Sequence, residues 1–304
     1  MTKDKTRDET DRAGSPPTDR VVAIIELLAG STEPVSTKAI AERLELSRST
    51  TTLILTSLDR SGWVSRQADR RYTLGGGLIG VAEAMHRVYP ALHDDRALER
   101  LAARAGCGVA LALIGAREVT YVSIVRVEGD LPTAVRVGTR LPLVAPMGTA
   151  AMAHRPAAQQ RAWLDTADAA DRPAIEMSLE QVRESGVVVF ELGQIDPLML
   201  GLLGEVVNLL AEHPRRDSLS TRAVELLGAL GGAAYPSSRL DADDPLPISY
   251  MSAPVFDRNG RAQYELQLGP LRPEVSKPER DRLIGEIART AEELGRTWTG
   301  TRMP

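Results

Sequence analysis

Apolar positions along this chain fall into runs of distinct period, separated by recognisable breaks. Residues 1–18 hold almost no apolar side chains and read as a disordered tail. Thr18 or Asp19 then caps a helix whose buried stripe is Val21, Ile24, Ile25, Leu27 and Leu28, ended by Gly30. Ile40, Ala41, Leu44 and Leu46 have helix-then-turn spacing. Ser47 caps a second helix by offering its hydroxyl oxygen to a first-turn N–H, and Leu53, Ile54, Leu58 and Val64 give that helix a buried face. Residues 63–65 and 71–74 read as strands around the polar tip 67–70, a wing. After Gly75-Gly76-Gly77, residues 78–89 are helical, with Leu78, Ile79, Ala82, Met85 and Val88 on one side.

Pro90 marks a second region. A helix is expected at 94–105, strands at 107–114, 119–127 and 132–137, helices at 147–154, 156–166 and 177–185, and a strand at 187–191. Strands 249–256 and 262–268 flank Asp257-Arg258-Asn259-Gly260, where Asn-Gly is a strong hairpin signal. A last helix over 277–297 buries Leu283, Ile287, Ala291 and Leu294. Residues 194–245 stand apart as a helical hairpin inserted between two strands, with Leu198, Leu202, Val206, Leu209 and Leu210 in one helix and Val224, Leu227 and Leu230 in the other. The fold class is α+β. The expected division is a tail 1–18, a winged helix-turn-helix 19–75, a linker helix 76–90 and a larger domain 91–304.

Charge adds a partner to this picture. The whole chain carries −4, but residues 36–74 hold seven basic residues against four acidic ones, so that segment carries +3 and the remainder −7. A basic module on an acidic body suits local phosphate contact. The second helix opens with Arg48, Ser49, Thr50 and Thr51, which are small, polar and basic. Such a first turn suits the major groove of DNA: Arg48 for a guanine edge or a phosphate, the hydroxyls for phosphates or bases. Thr37 and Lys38 are placed to hold the backbone, and Arg66, Arg70 and Arg71 on the wing to reach the minor groove or nearby phosphates. Arg43 and Arg60 read as solvated charges. A winged helix used for protein contacts is the bland alternative.

Other chemistry finds little footing. Cys107 is the single cysteine, which excludes an intrachain disulfide and a thiolate zinc cluster. His86, His93, His154 and His213 are scattered, without metal-ligand spacing to Cys, Asp or Glu. Gly75-Gly76-Gly77-Leu78-Ile79-Gly80 satisfies G-x-G-x-x-G, yet follows a wing rather than a parallel βαβ unit, so it reads as a flexible joint. Neither catalysis nor a cofactor is expected. There is no secretory signal and no apolar run of roughly 18 residues, so a cytoplasmic protein without membrane contact is expected.

Three blocks resemble the IclR family of transcriptional regulators: IAERLELSRSTTTLILTSLDRSGWV with the following YTLGGGLIGVAE, then VGTRLPLVAPMGTAAMA, then SAPVFDRNGRAQYELQLGP. The resemblance implies a DNA-binding head, a linker helix and a GAF-like effector domain. It further implies dimers or dimers of dimers; a dimer would set two recognition helices in successive major grooves of a pseudo-palindromic operator, and repression is the expected mode. Related recognition helices carry a basic residue where this one has Leu53. By resemblance Ala145, Met147, Gly148 and Thr149 form one wall of an effector cavity, Glu191 lies at a strand end beside it, and Tyr250 and Ser252 point in. Leu266 and Leu268 stand where relatives that bind small oxo-acids tend to place serines. An apolar wall there would penalise a buried carboxylate by several kcal/mol, which suggests a larger, apolar or aromatic effector. A cavity filled by its own side chains is the alternative. The rival function class is an enzyme or stand-alone metabolite-binding module with a vestigial DNA-binding head.

Overall fold

The computed structural model describes residues 15–89, 95–127, 137–193, 231–257 and 259–300. These separate into two compact units, residues 15–88 and residues 89–300, so the expected linker helix groups with the first unit as far as Val88.

In the first unit α1 spans Pro16–Ala29, starting earlier than the expected tail boundary because Pro16 and Pro17 occupy the first turn. Proline is preset for a helix there, and the N–H it lacks would be unpaired anyway. Helix α2 (Thr37–Arg43) is capped by Ser36, whose Oγ accepts the Ala39 N–H at 3.2 Å. Helix α3 (Arg48–Arg60) is capped by Ser47, which accepts the Thr50 N–H at 3.1 Å. Strands β1 (Val35–Ser36), β2 (Val64–Arg66) and β3 (Arg71–Leu74) form a sheet in the order β1-β3-β2. The wing is therefore present, with a third strand the sequence reading did not anticipate. Ile24, Leu28, Val35, Ile40, Leu55, Leu58, Val64 and Tyr72 make the core. The inward positions of α3 are Thr51, Leu55 and Leu58; Leu53, expected inside, is 70% exposed.

A 3-10 turn (Gly76–Leu78) leads into α4 (Ile79–Val88). The corner before it is a close-packed junction rather than a loose joint. Gly75 N–H donates to Trp63 C=O and Gly77 N–H to Gly62 C=O, both at 2.8 Å. A Cβ on Gly75 would lie 2.3 Å from Gly62 O, and one on Gly77 2.8 Å from the same atom.

Among the described residues the second unit is built on an antiparallel sheet of eight strands. They are β4 (Gly108–Ile114), β5 (Glu118–Val125), β6 (Arg140–Pro142), β7 (Val188–Leu192), β8 (Gly231–Ala234), β9 (Leu246–Phe256), β10 (Ala262–Gly269) and β11 (Arg272–Val275). The order is β6-β5-β4-β10-β9-β7-β8, with β11 also pairing β9. Helices cover both faces. On one, α5 (Arg96–Ala105) and the C-terminal helix α10 (Lys277–Gly300) pack on Val109, Leu111, Met251, Ala253, Leu266 and Leu268. On the other, α6 (Thr149–Met152), α7 (Ala157–Leu164) and α8 (Arg172–Ser185) pack on Ala112, Ile114, Val188 and Phe190. Arg104 and Arg100 of α5 tie the first pair together through Glu286 and Glu293, each at 2.6 Å.

The expected strand 132–137 and both inserted helices lie outside the described residues, apart from Val137. The described end of the 194–245 segment is not helical-hairpin structure: β8 adds an edge strand to β7, followed by a short helix α9 (Ser237–Leu240). The loop after α9 is held by Arg280, whose fully buried guanidinium donates to the carbonyls of Leu240, Ala242, Asp244 and Val275.

Candidate nucleic-acid interface and effector face

Helix α3 presents Arg48, Ser49, Thr52, Leu53 and Thr56 on its solvent side. Thr51 does not belong with them. It is fully buried, and its hydroxyl donates to Ser47 C=O at 3.0 Å. The expectation that it touches DNA is corrected by the helix period: Thr51 is in line with Leu55 and Leu58, and the exposed threonines are Thr52 and Thr56. Ser47 Oγ gathers Ser49 Oγ at 2.9 Å and Thr50 Oγ1 at 2.8 Å. The first turn is thus a small hydroxyl cluster around the cap, with Arg48 projecting beside it.

Thr37 and Lys38 open α2, with Lys38 exposed and 3.8 Å from Glu42. The wing carries exposed Arg66, Arg70 and Arg71. Asp59 of α3 accepts the Arg66 backbone N–H at 3.3 Å, which fixes the wing against the reading helix. At the tip Arg70 has φ 65°, and Asp69 accepts the Arg71 N–H at 3.1 Å. The first unit therefore brings a polar helix N-terminus and an arginine-bearing wing together by local capping and turn chemistry.

The second unit carries a polar patch on the sheet face beneath α6. Along β10 the side chains alternate: Tyr264, Leu266 and Leu268 belong to the core under α5 and α10. Glu265 and Gln267 face the other way, where Gln267 Nε2 donates to Glu265 Oε1 at 3.2 Å and Ala151 N–H of α6 approaches Glu265 Oε2 at 3.5 Å. Leu266 and Leu268 thus face the core opposite to Ala145 and Met147, which corrects the expectation that they line one cavity together and removes the basis of the apolar wall. A strand reads out alternate faces, so one position decides which side chains line a cavity.

On neighbouring β9, Ser252 is fully buried with its hydroxyl beside the Glu265 carboxyl. Tyr250 stacks on Phe190 with ring centroids 4.4 Å apart. Tyr121 of β5 joins the same side. Burial raises the Glu265 carboxyl above the usual carboxylate range, against the pull of Gln267, the Ser252 hydroxyl and the amides of Ala151 and Ala150. Tyr121 is pushed up to about 12 by burial and then by the Glu265 charge, and Tyr250 is raised well above its ordinary value for the same reasons.

The expected loop residues sit beside this patch. Ala145 is buried, Met147 packs on the same core, and Met147 C=O accepts the Trp163 indole N–H at 2.9 Å. Gly148 has φ 84°, a left-handed conformation that favours glycine; the nearest atom to a Cβ there is the tip of the Leu143 side chain, Cδ1 at 2.8 Å. Thr149 is buried with its hydroxyl on Pro146 C=O at 2.5 Å. Glu191 does not join them. It follows Phe190 across a register shift, and its charge acts on Tyr235 in the opposite core. Sequence reasoning missed Glu265, Gln267 and Tyr121; the alternation Tyr264-Glu265-Leu266-Gln267-Leu268 was the available signal.

Among the described residues no group of His, Cys, Asp and Glu is placed to hold a metal ion. No described helix is long and apolar enough to cross a membrane.

A winged helix-turn-helix with an exposed arginine at its reading end, followed by a helix-covered sheet with a buried polar patch, defines a DNA-reading module with a sensor module. Residues 17–68 match the family model for the IclR helix-turn-helix domain, and residues 87–191 match that for the bacterial transcriptional regulator IclR C-terminal domain. The chain belongs to the IclR family, whose members are transcriptional regulators rather than enzymes. It is 28% identical over 145 residues to the probable transcriptional regulator SauR of Cupriavidus necator, a match covering 47% of this chain and 58% of that one. The match thus spans little more than half the length of that curated relative. An IclR transcriptional regulator from Alicyclobacillus acidocaldarius shares the fold with a TM-score of 0.59 at 20% identity, over 95% of this chain and 100% of that one. An IclR homologue from Microbacterium hydrocarbonoxydans, crystallised with 4-hydroxybenzoate, gives a TM-score of 0.57 at 18% identity, over 92% and 99%.

Proposed function

We propose that this protein is an effector-responsive transcriptional regulator that reads a pseudo-palindromic operator through two copies of α3. The observation that carries the reading is the outer face of α3. Its first turn is capped, basic and exposed, and the wing arginines lie beside it. Two copies are favoured because α4 leaves Val81 and Met85, one turn apart on the same side of the helix, exposed for a second α4 to cover. Selection of bound duplexes from a random pool, followed by footprinting, tests this. Recovered sites should contain two related half-sites about 10 base pairs apart, centre to centre.

The effector reading rests on Glu265. A carboxyl held towards its neutral form, with Gln267 and Ser252 beside it and the Phe190–Tyr250 stack adjoining, suits a ligand with a neutral, donor-bearing head and an aromatic or apolar body. A carboxylate placed against Glu265 would raise that carboxyl further and would itself be buried as a charge, which disfavours an acid end at this position. The Microbacterium relative holds 4-hydroxybenzoate, which carries both a phenol and a carboxylate. Calorimetry comparing 4-hydroxybenzoate with its methyl ester separates the two ends. Tighter binding of the ester supports the neutral-head reading, and tighter binding of the acid overturns it.

A further inference from the structure

The exposed face of α3 is unusual in what it does not offer. Thr52 donates its hydroxyl to Arg48 C=O and Thr56 to Thr52 C=O, both at 2.8 Å. Their protons are spent inside the helix, so what remains outward is a γ-methyl and acceptor lone pairs. Ser49 Oγ is engaged with Ser47 Oγ. Between Thr52 and Thr56 stands Leu53, 70% exposed on a helix whose core needs are met by Leu55 and Leu58. Leu53 follows Ser49 by one turn and therefore shares the reading face rather than the flank. From Ser49 to Thr56 the helix advances roughly 10 Å at 1.5 Å per residue, or about three base-pair steps.

A major groove presents four distinct edges, and the single apolar group among them is the thymine C5-methyl. We propose that Leu53, flanked by the methyls of Thr52 and Thr56, is a specificity-determining residue that recognises thymine C5-methyl groups in each half-site. The proposal rests on the DNA-binding reading above. Arg48 supplies the polar contact at the helix start, and the methyl ridge selects the thymine-bearing pairs that follow it. A basic residue at position 53 would reward phosphates or guanines instead, so the leucine changes what is read as well as how strongly.

The experiment uses the full chain and the duplex pool it selects from random DNA. That pool is copied once with thymidine and once with deoxyuridine, which removes the C5-methyl and leaves the pairing edge intact. Burying one methyl contributes about 0.8 kcal/mol, so the wild type should bind the uracil copy roughly four-fold more weakly for each methyl contacted. Leu53→Ala, at an exposed position that leaves the core untouched, should bind both copies within about two-fold of each other. Leu53→Lys should also lose the discrimination and gain a steeper salt dependence, by about one unit of log–log slope per copy. Equal wild-type binding to the two copies overturns the proposal, as does discrimination that persists undiminished in Leu53→Ala. Failure to select any DNA falls on the DNA-binding reading itself and is distinct from both.

Discussion

The corner at Gly75 and Gly77 makes the sharpest structural prediction. Gly75 has φ −104° and ψ 160°, a conformation any residue adopts, so the cost of a side chain there is purely one of space. A methyl on Gly75 would lie 2.3 Å from Gly62 O and 2.9 Å from Val64 O. A methyl on Gly77 would lie 2.8 Å from Gly62 O and 2.9 Å from Ser61 O. These neighbours are backbone atoms, which do not swing aside. Overpacking of this kind costs about 1–3 kcal/mol, and opening the corner weakens the two 2.8 Å bonds to Trp63 and Gly62, each worth about 0.5–1.5 kcal/mol. Alanine returns about 0.4–1 kcal/mol by restricting the unfolded chain. The net loss is about 2–3 kcal/mol for Gly75→Ala or Gly77→Ala, a drop of about 10–20 °C for a unit of this size.

Gly76→Ala and Gly80→Ala provide the contrast. A Cβ on Gly76 meets nothing nearer than Ile79 Cδ1 at 3.9 Å, and one on Gly80 meets nothing within 4 Å. Gly76→Ala should leave the melt unchanged or slightly raised, and Gly80→Ala, inside α4, should stabilise by about 0.5–1 kcal/mol. Calorimetry of the full chain with hydrogen exchange over residues 15–88 reads all four. If Gly75→Ala melts with Gly76→Ala, the close-packing argument fails. If all four weaken DNA binding without touching stability, the glycines serve flexibility after all.

Arg48→Ala should weaken DNA binding by about 1–3 kcal/mol and leave the melt in place, whereas Thr51→Val should leave affinity unchanged at any salt concentration; parallel binding isotherms and melts separate the two positions. Arg280→Ala should cost about 3–5 kcal/mol in urea unfolding, because it leaves the carbonyls of Leu240, Ala242, Asp244 and Val275 without their shared donor; a loss under 1 kcal/mol would contradict that role. Glu265→Gln should stabilise the fold above the ordinary carboxylate range. The native carboxyl is raised by burial, so wild-type stability falls as pH climbs through the unfolded value towards the native one. The advantage of glutamine should shrink as pH drops below that window; an advantage unchanged down to pH ~3 would sink the assignment.

Much of the first unit was legible because its signals are local. Ser47 caps as its chemistry dictates, and the wing strands declare themselves around a polar tip. What failed there was a helix phase. Leu53 looks like core by composition, yet α3 meets its neighbours along Thr51, Leu55 and Leu58, so a threonine is buried and a leucine is not. The Gly75–Gly77 run suggested freedom because sequence shows the absence of side chains, not the carbonyl of Gly62 that occupies the space. In the second unit the hairpin around Asn259-Gly260 was evident, but the facing of β10 was misjudged. Both faces of that sheet are covered by helices, so Leu266 and Leu268 gave no solvent side against which to set the register. Strand β8, made of Gly231, Gly232, Ala233 and Ala234, has no β-rich composition at all and is held by its pairing with β7. Arg280 was invisible for the opposite reason: arginine is expected at the surface, and only tertiary structure supplies the carbonyls that let it sit inside.

The central claim is that the first unit reads DNA through α3 in two copies. Selection from random duplexes by the full chain, with the affinity of the recovered site measured from 50 to 200 mM salt, tests it most directly. The account predicts paired half-sites about one helical turn apart and affinity that falls steeply with salt, by about 10³-fold or more if each copy contacts three phosphates. Recovery of no sequence, or of unpaired sites bound equally well across that salt range, would contradict it.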